Sequence, residues 1–367
     1  MRLGVDGREL VDGVRTGIGR YLIEVLRAAS RDGWDVLVYA DRPLPDTLAQ
    51  PGLQVRVLRA PWTSWWDQVS LPRRLAKDRV SVFLSPYYKG PLRTSCPVVL
   101  TIHDLMFIQY LGRPRLVYDT VMTALARRYA AAAEAIVADS EFAKRSIVGR
   151  LGVGAGKVTV IPVAVGFEFT PQAITKEVRR RYGIAGAYLL SVGNFLPHKN
   201  LARLLEAYAR LSEPLRRTHR LVLAGGDRRR QAELEREVGR LGIGGRVIFP
   251  GVIDEADLPE LYGGCALFVL PSLAEGFGLP ALEAMACRAP VVASNRAAIP
   301  EVVGDAALLV NPDDPVAMAS ALERVLSSEQ LAEELRHRGL IRAKEFTPNR
   351  TAGRVLQLLK QVSGCEA

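Results

Sequence analysis

The stretch from Pro271 to Glu283 (PSLAEGFGLPALE) constrains the fold of this chain more than any other segment. It follows a short apolar run, Ala266 to Leu270, of the kind that forms a buried parallel strand. Pro280 and the helix-forming residues after it predict a helix that begins where the loop ends. A strand, a glycine-containing loop and a helix in this order are the building unit of an α/β fold.

The loop within this stretch is suited to a phosphate group. Gly276 and Gly278 let the backbone approach a ligand closely, and the start of the next helix presents unpaired N–H groups and partial positive charge. Glu275 lies in the loop and Glu283 about one turn into the helix. Both can face one ligand with a phosphate in its middle and hydroxyls at both ends, which describes a nucleotide sugar. The alternative is a plain junction with two solvated glutamates.

The α/β pattern begins twice along the chain. A first strand, Arg2 to Asp6, leads into a loop and then a helix from about Arg20 to Ser30, and Tyr188 to Val192 starts the pattern again. With 367 residues, 49% of them hydrophobic, the chain can build two cores. We therefore expect an α/β fold with two Rossmann-like domains, each a doubly wound parallel sheet.

The string EGFGLPALE after an apolar strand ending in Pro-Ser resembles the retaining glycosyltransferases of GT-B architecture, in the Glu-x7-Glu family (glycosyltransferase family 4, group 1). The resemblance covers essentially the whole chain and is strongest from Leu189 to Asn311. It implies two domains that face each other across a cleft. The acceptor-binding domain would span 1–166, with the C-terminal helix in 347–367 packing back on it, and the donor-binding domain 167–346.

The first glycine loop gives a weak signal by itself. Gly17 and Gly19 form only part of the dinucleotide-binding fingerprint, because Leu22 holds the position of the third glycine. The family resemblance implies that Gly17 faces the donor diphosphate, and the alternative is an ordinary turn between a strand and a helix.

A histidine and an aspartate end a central strand. The apolar run Pro97 to Ile102 leads into His103-Asp104-Leu105, at the strand end where open parallel sheets bind ligands. The family's His-Asp-Leu motif implies that His103 reaches the donor sugar and that Asp104 orients the ring or binds the acceptor. A purely structural His103 is the alternative. Further on, Asp139-Ser140 is predicted to cap a helix that starts at residue 141.

The loop after Tyr188 to Val192, the strand that starts the α/β pattern again, departs from the family pattern. Lys199 lies just before a helix N-terminus, a position where its ammonium group can bind phosphates. The family commonly has Arg-Lys-Asn here, but His198 replaces the arginine, and Asn194 stands where some members have another arginine. We therefore expect a weaker positive clamp, one that would weaken further as His198 loses its proton.

The resemblance also assigns roles residue by residue. Glu283 would hold the ribose hydroxyls of the donor, and Glu275 a sugar hydroxyl. The residues expected at the donor diphosphate are Gly17, Asn194, His198, Lys199, Phe277, Gly278 and Leu279. The residues expected at the nucleoside are Gly225, Val252, Ile253 and Glu283. The residues expected at the reaction centre are His103, Asp104 and Glu275.

No cofactor and no divalent metal ion are expected. The chain lacks the Asp-x-Asp motif of the metal-dependent glycosyltransferases. The glycine-rich segment 152–157 is not a Walker A loop, because Leu151 holds its first glycine position and Val158 replaces the Ser/Thr. Four cysteines without Cys-x-x-Cys spacing suggest small core residues in a reducing compartment. We expect a cytoplasmic protein.

The net charge and the tryptophans indicate which classes of partner the chain could bind. A net charge of +10 suits anionic partners, although much of the excess is arginine and a high-GC genome would give the same bias. Trp62, Trp65 and Trp66, close to Arg73 and Lys77, could stack on sugars, lie at a membrane interface or pack in the core. We expect peripheral contact with the inner face of an anionic membrane, and no nucleic acid as partner.

The activity implied by the resemblance is transfer of a hexose with retention at the anomeric carbon and without a dedicated base. GDP-mannose is the first choice of donor, and UDP-glucose, UDP-N-acetylglucosamine and dTDP-rhamnose stay open. The acceptor would be a glycan or a lipid-linked oligosaccharide. Two alternatives remain, which are a same-fold epimerase or phosphorylase and a basic anion- or lipid-binding protein without catalysis.

Overall fold

The computed structural model describes residues 1–14, 16–48, 52–106, 116–226 and 228–364. The chain divides into two compact units. The first unit holds the described residues up to Ala164 and those from Pro348 onward, and the second is Val165–Thr347. Each unit is built around one parallel sheet with helices on both faces.

The strands are short and mostly buried. In the described residues they are β1 Arg2–Asp6, β2 Asp35–Ala40, β3 Leu53–Val57, β4 Val82–Ser85, β5 Val98–Ile102, β6 Ala135–Ala138, β7 Val158–Val160, β8 Ala187–Val192, β9 His219–Ala224, β10 Val247–Gly251, β11 Leu267–Leu270, β12 Val291–Ser294 and β13 Leu308–Val310.

Helices connect nearly all of these strands. They are α1 Gly17–Arg31, α2 Thr63–Trp65, α3 Leu71–Lys77, α4 Leu116–Ala132, α5 Glu141–Leu151, α6 Lys176–Arg181, α7 Leu201–Ala209, α8 Glu213–Thr218, α9 Arg228–Arg240, α10 Leu258–Gly264, α11 Leu279–Ala286, α12 Ile299–Val303, α13 Pro315–Ser327, α14 Glu329–Ala343 and α15 Pro348–Val362. A π-helical turn, Trp66–Ser70, joins α2 to α3. Short 3-10 turns lie at Arg8–Leu10, Asp46–Leu48, Ala155–Lys157, Pro197–Lys199 and Glu255–Asp257.

Both sheets have the same winding. The first has the order β3-β2-β1-β4-β5-β6-β7 and the second β10-β9-β8-β11-β12-β13, and neighbouring strands pair in parallel. Continuous apolar runs form the central strands because helices cover both faces of a parallel sheet. The predicted α/β fold with two doubly wound parallel sheets is confirmed.

The last helix completes the first unit. α15 packs along α1, and the side chain of Arg31 donates to Asn349 over 3.2 Å. The hydroxyl of Thr351 donates to the carbonyl of Pro162 over 2.8 Å, and Arg354 donates to the carbonyl of Val160 over 2.7 Å. These bonds fix the end of the chain beside the end of β7.

Candidate functional site

The second sheet reverses its strand order between β8 and β11. These strands are hydrogen-bonded neighbours, with Leu189 opposite Leu267, while β9 and β10 continue on the other side of β8. Open parallel α/β sheets bind ligands outside the carboxyl ends of their strands at such a switch point. The loop 193–200 after β8 and the loop 271–278 after β11 are therefore the candidate ligand site of the second unit.

An ion pair joins these two loops. Nζ of Lys199 donates to Oε1 of Glu275 over 2.7 Å, and the hydroxyl of Ser272 donates to the same oxygen over 2.6 Å. The charged side chains are only 12% and 7% exposed. Attraction within a buried ion pair roughly offsets the cost of desolvating it, so the pair adds little net stability. Ligand binding explains its position at the switch point better than stability does.

Further hydrogen bonds hold the two loops together. The backbone N–H of Leu273 donates to the carbonyl of His198 over 2.7 Å. Asn200 has a left-handed backbone (φ 58°), and its Nδ2 donates to the carbonyls of Pro271 at 3.1 Å and Pro312 at 2.7 Å. Asparagine tolerates this conformation better than most residues. The backbone that carries Lys199 is therefore fixed on both sides.

Gly225 fills a place where a side chain would not fit. Its backbone has φ 105°, and a Cβ atom there would lie 2.2 Å from the carbonyl oxygen of Gly193. Its N–H donates to the carbonyl of Gly251 over 2.7 Å. Gly225 thus packs together the turns after β8, β9 and β10, and its contact with a nucleoside stays a prediction.

The backbone turns sharply before α11. Gly278 adopts φ 106° immediately before the first helical residue, Leu279. The ring of Phe277 is buried and packs edge-on against Phe346, with the ring centres 5.6 Å apart. Because that ring is part of the core, the backbone N–H of Phe277 is the group it can offer to a phosphate.

Glu283 is a buried carboxylate on α11. The residue is 4% exposed, and the hydroxyl of Tyr262 on α10 donates to its Oε2 over 2.9 Å. A carboxylate that is buried away from water needs hydrogen-bond donors, and an ionised carboxylate can accept about four hydrogen bonds. Its position within the first turns of α11 suits it to accept from ligand hydroxyls.

His198 does not replace the family's arginine as a cation. The residue is 3% exposed, and its burial, together with the positive charge of Lys199, lowers its pKa below the ordinary 6.5. The ring is therefore neutral near pH 7. The lowered pKa moves the loss of the His198 proton to more acidic pH, and its effect on donor binding stays a prediction.

The other residues expected at the donor lie around the same sheet edge. Asn194 is exposed, and its Oδ1 accepts from the N–H of Leu196 over 3.4 Å. Val252 is 79% exposed after β10, whereas Ile253 is 9% exposed. Since the side chain of Ile253 is part of the core, its backbone is what remains for contact with a base.

In the first unit, Gly17 belongs to α1. Thr16 caps this helix, and its Oγ1 accepts from the N–H of Gly19 over 3.0 Å. The cap starts the 15-residue helix three positions before Arg20, where the sequence pattern placed its start. Gly17 therefore stands at a helix N-terminus, a position that favours anions, and its contact with the diphosphate stays a prediction.

Sequence reasoning missed a charged cluster at the carboxyl edge of the first sheet. The guanidinium of Arg8 contacts Asp6 at 2.6 Å and Asp67 at 2.7 Å and lies 3.8 Å from the ring centre of Trp66. Burial alone would lower the pKa of Arg8, but the two carboxylates raise it. The sequence signal for this cluster was limited to the position of Asp6 at a strand end, because Asp67 and Trp66 lie far from Arg8 in the chain.

The ends of β5 and β6 bring His103 and Asp139 together. The strands are parallel neighbours with Ile102 opposite Ala138, so the next residue of each leaves the sheet at the same edge. Nδ1 of His103 lies 2.8 Å from Oδ2 of Asp139. Ser140 caps α5 as predicted, while the side chain of Asp139 turns to the histidine.

Asp104 shapes the turn after β5. Its Oδ1 accepts from the backbone N–H of Met106 over 2.9 Å. The ring of His103 is held by Asp139, which the sequence indicated only as part of a helix cap, and an orienting role for Asp104 stays a prediction. A contact between Asp104 and the acceptor stays a prediction.

The three tryptophans separate into two groups. Trp66 is 2% exposed and belongs to the core of the first unit. Trp62 and Trp65 are 60% and 43% exposed and form an edge-on pair with ring centres 5.8 Å apart. The core interpretation is confirmed for Trp66 and wrong for the other two.

The described residues contain neither a cluster of metal ligands nor a membrane-spanning helix. Within the described ranges, His, Cys, Asp and Glu side chains form no group of three or more that could hold a metal ion. No helix in the part of the chain that the structure describes is both long enough and apolar enough to cross a bilayer.

Comparison with known proteins gives matches along both units. The family model described as Glycosyltransferase Family 4 matches residues 15–168, and the model of glycosyl transferases group 1 matches residues 175–342. The O-antigen chain mannosyltransferase B of Escherichia coli is 30% identical over 90% of this chain and 92% of that protein. The serotype-specific mannosyltransferase WbdA of Escherichia coli is 33% identical over 71% of this chain, which spans 32% of that longer protein.

A solved structure shows the same architecture. Sucrose-phosphate synthase from Thermosynechococcus elongatus matches with a TM-score of 0.80 at 21% identity and covers 100% of both chains. At that identity the likeness shows the fold alone. Together with the match to O-antigen chain mannosyltransferase B over nearly its whole length, these findings show that the chain belongs to the GT-B glycosyltransferases of family 4, group 1.

Proposed function

We propose that this glycosyltransferase moves mannose from GDP-mannose to a hydroxyl of a glycan or lipid-linked oligosaccharide, with retention at the anomeric carbon. The observation that carries the proposal is the buried pair of Lys199 and Glu275 at the switch point of the second sheet. The choice of mannose rests on two relatives that are named mannosyltransferases. The choice of acceptor class rests on the name of the O-antigen relative.

The main electrostatic task is to stabilise the departing diphosphate. Charge that develops on a leaving group is stabilised best by donors already fixed in place. Lys199 supplies a positive charge, and the backbone N–H groups at residues 277–279 supply donors at the start of α11. We propose that these groups do the work that a divalent ion does in metal-dependent glycosyltransferases.

Carboxylates and a histidine would bind the hydroxyls of the donor. Glu283 would accept from the ribose, and Glu275 from a hydroxyl of the transferred sugar while it supports positive charge at the reacting carbon. His103 would bind another hydroxyl of that sugar. The departing phosphate would take the proton of the attacking acceptor hydroxyl, so that no side chain serves as a dedicated base.

The test is a donor panel with an acceptor of mannose oligosaccharides. GDP-mannose, UDP-glucose, UDP-N-acetylglucosamine and dTDP-rhamnose are each incubated with the protein in EDTA and in magnesium. We expect transfer from GDP-mannose at equal rates in both buffers and an α-linked product by NMR, as in the donor. A β-linked product contradicts retention, and transfer that EDTA abolishes contradicts metal independence.

The same panel separates the alternatives. Transfer from a different nucleotide sugar alone would move the assignment to that donor. Donor turnover without acceptor would favour an epimerase, and release from polymer a phosphorylase. Binding of anionic lipid without turnover of any donor would favour a basic binding protein.

We also propose that the first unit contacts an anionic membrane surface. Trp62 and Trp65 are exposed, and Arg59, Arg73 and Lys77 near them in the chain are exposed too. Indole rings favour the membrane–water interface, and each nearby basic residue adds about 1 kcal/mol of attraction to anionic lipid. The protein would bind an acceptor with a lipid anchor at this surface.

Vesicle sedimentation tests this contact. We expect the protein to bind vesicles that contain phosphatidylglycerol and the Trp62→Ala/Trp65→Ala variant to partition about tenfold more weakly, since two interfacial indoles are lost. Phe167→Ala is the control, because Phe167 is an aromatic residue with the same 60% exposure as Trp62 but lies in the second unit. Equal binding by the double variant and the wild type would contradict the proposal.

A further inference from the structure

The sheet register places an acid beside the histidine of the first unit. His103 and Asp139 are the first residues after β5 and β6, and the pairing of Ile102 with Ala138 brings both to one edge. Nδ1 of His103 lies 2.8 Å from Oδ2 of Asp139, which is 3% exposed. This contact requires a hydrogen on Nδ1, because an ionised carboxylate only accepts hydrogen bonds.

The imidazole is held on a second side as well. The ring of Tyr21 meets it edge-on with the ring centres 5.5 Å apart, and the Tyr21 hydroxyl is itself within 3.0 Å of Oγ1 of Thr101. With Nδ1 bound to Asp139 and one side against Tyr21, the direction of the opposite ring nitrogen, Nε2, is fixed.

Nε2 is the group left for a ligand. It is buried and has no hydrogen-bond partner in the described residues, and the same holds for Oδ1 of Asp139. Buried polar atoms are almost always hydrogen-bonded, so an orphan at a functional edge indicates an absent partner. The carboxyl end of a central parallel strand is where such a partner binds.

The charges around His103 favour its protonated form. Burial alone would lower the pKa of His103, but Asp139 raises it above the ordinary 6.5, with smaller contributions from Asp104 and Glu9. Tyr21, also in contact, is neutral because burial raises its pKa further. A neutral ring bound through Nδ1–H would present a bare Nε2 that accepts, whereas the protonated ring presents an N–H that donates.

We propose that Asp139 is a positioning residue for sugar transfer, which keeps Nε2–H of His103 directed at a hydroxyl oxygen of the transferred sugar. The inference rests on the proposed function and extends it. Asp139 touches no reacting atom itself. Its effect is to fix both the direction and the charge of the group that binds the sugar.

The test replaces Asp139 by asparagine. In Asp139→Asn the amide oxygen can still accept from Nδ1, but the negative charge is gone. Donor kcat/KM is measured from pH 5.5 to 9 for the variant, the wild type and Glu134→Gln. Glu134 is exposed and immediately precedes β6, at the opposite end of that strand from Asp139, so its replacement controls for loss of one negative charge.

The expected result is a shift of the pH profile. Transfer by Asp139→Asn should stay within about threefold of the wild type at pH 6 and fall about tenfold below it at pH 8, because a pKa lower by one unit means a tenfold smaller protonated fraction. Glu134→Gln should follow the wild-type profile. A loss of equal size at every pH would overturn the proposal and leave Asp139 a structural residue.

A second measurement does not depend on activity. The chain has four histidines, so NMR can follow each ring, and His103→Gln identifies the signal of His103. We expect a His103 pKa above 6.5 in the wild type and a drop of about one unit in Asp139→Asn. An unchanged pKa overturns the proposal. A drop in pKa without a shift of the rate profile also overturns it but spares the proposed function, whereas absence of transfer by the wild type overturns both.

Discussion

Replacing Lys199 by methionine is expected to lower kcat for transfer by about 10²–10³-fold, the usual effect of removing one fixed donor from a developing negative charge. The methionine keeps most of the length of the side chain, so the change removes mainly the ammonium group. The donor KM should change much less, because the charge on the departing diphosphate grows in the transition state. Steady-state kinetics with GDP-mannose measures both constants.

The same change has a cost in stability that must be separated from catalysis. Lys199→Met leaves Glu275 buried beside Ser272 without its cation, and breaking a buried pair from one side costs about 3–5 kcal/mol. Lys199→Met/Glu275→Gln removes both charges and should regain most of that loss in chemical denaturation. Its transfer rate should stay as low as that of the single variant.

An exposed lysine of the same unit provides the matched control. Lys176 begins α6 and is exposed, so Lys176→Met lowers the net charge equally without touching the switch point. We expect wild-type kinetics from it. If Lys199→Met kept kcat within about threefold of the wild type, Lys199 would not stabilise the leaving group.

The second large effect is expected at Glu283. Glu283→Gln keeps the size of the side chain and an oxygen that can accept from Tyr262, but it replaces a charged acceptor by a neutral one. Hydrogen bonds to charged groups contribute about 1.5–3 kcal/mol and neutral ones about 0.5–1.5 kcal/mol. Donor KM should therefore rise about tenfold, while kcat changes little, because the ribose is bound equally in the ground and transition states.

A control at Tyr262 shows whether the effect belongs to the carboxylate. Tyr262→Phe removes the hydroxyl that donates to Glu283 and costs about 1 kcal/mol of stability. Its donor KM should rise less than that of Glu283→Gln. A larger rise in Tyr262→Phe would mean that the tyrosine, and not the carboxylate, binds the donor.

Most strands could be predicted because a buried parallel strand has a simple pattern. Apolar runs such as 97–102, 188–192 and 266–270 can lie only between two covered faces, and the structure has a strand within one residue of each predicted start and at each predicted end. The first residue of a helix was harder to predict than the bounds of a strand. α1 starts at Gly17 because the Thr16 side chain caps it, although the glycines after that cap favoured a loop.

The second-unit site was easier to predict than that of the first. Lys199 and Glu275 each lie in the loop that follows a strand, and a doubly wound sheet sets those strand ends side by side. The contact between the two side chains was not predicted, because each was considered only as a ligand group.

In the first unit the important contacts depend on register. Asp139 meets His103 because Ile102 pairs with Ala138, and no local pattern gives the pairing of two strands. Trp66 and Arg8 stack although they are far apart in the chain. Periodicity could not separate buried Trp66 from exposed Trp62 and Trp65, because the π-helical turn that begins at Trp66 changes the helical repeat there.

One binding measurement tests the central claim, that the switch point of the second sheet binds a nucleoside diphosphate through Glu283. Calorimetry compares GDP with 2′,3′-dideoxy-GDP on the wild type and on Glu283→Gln, in EDTA. The wild type should bind GDP about tenfold more tightly than the dideoxy compound, and Glu283→Gln should bind the two alike, since such a cycle isolates the contact between carboxylate and ribose. If Glu283→Gln discriminates as strongly as the wild type, or if the wild type binds no GDP, the assigned donor site is contradicted.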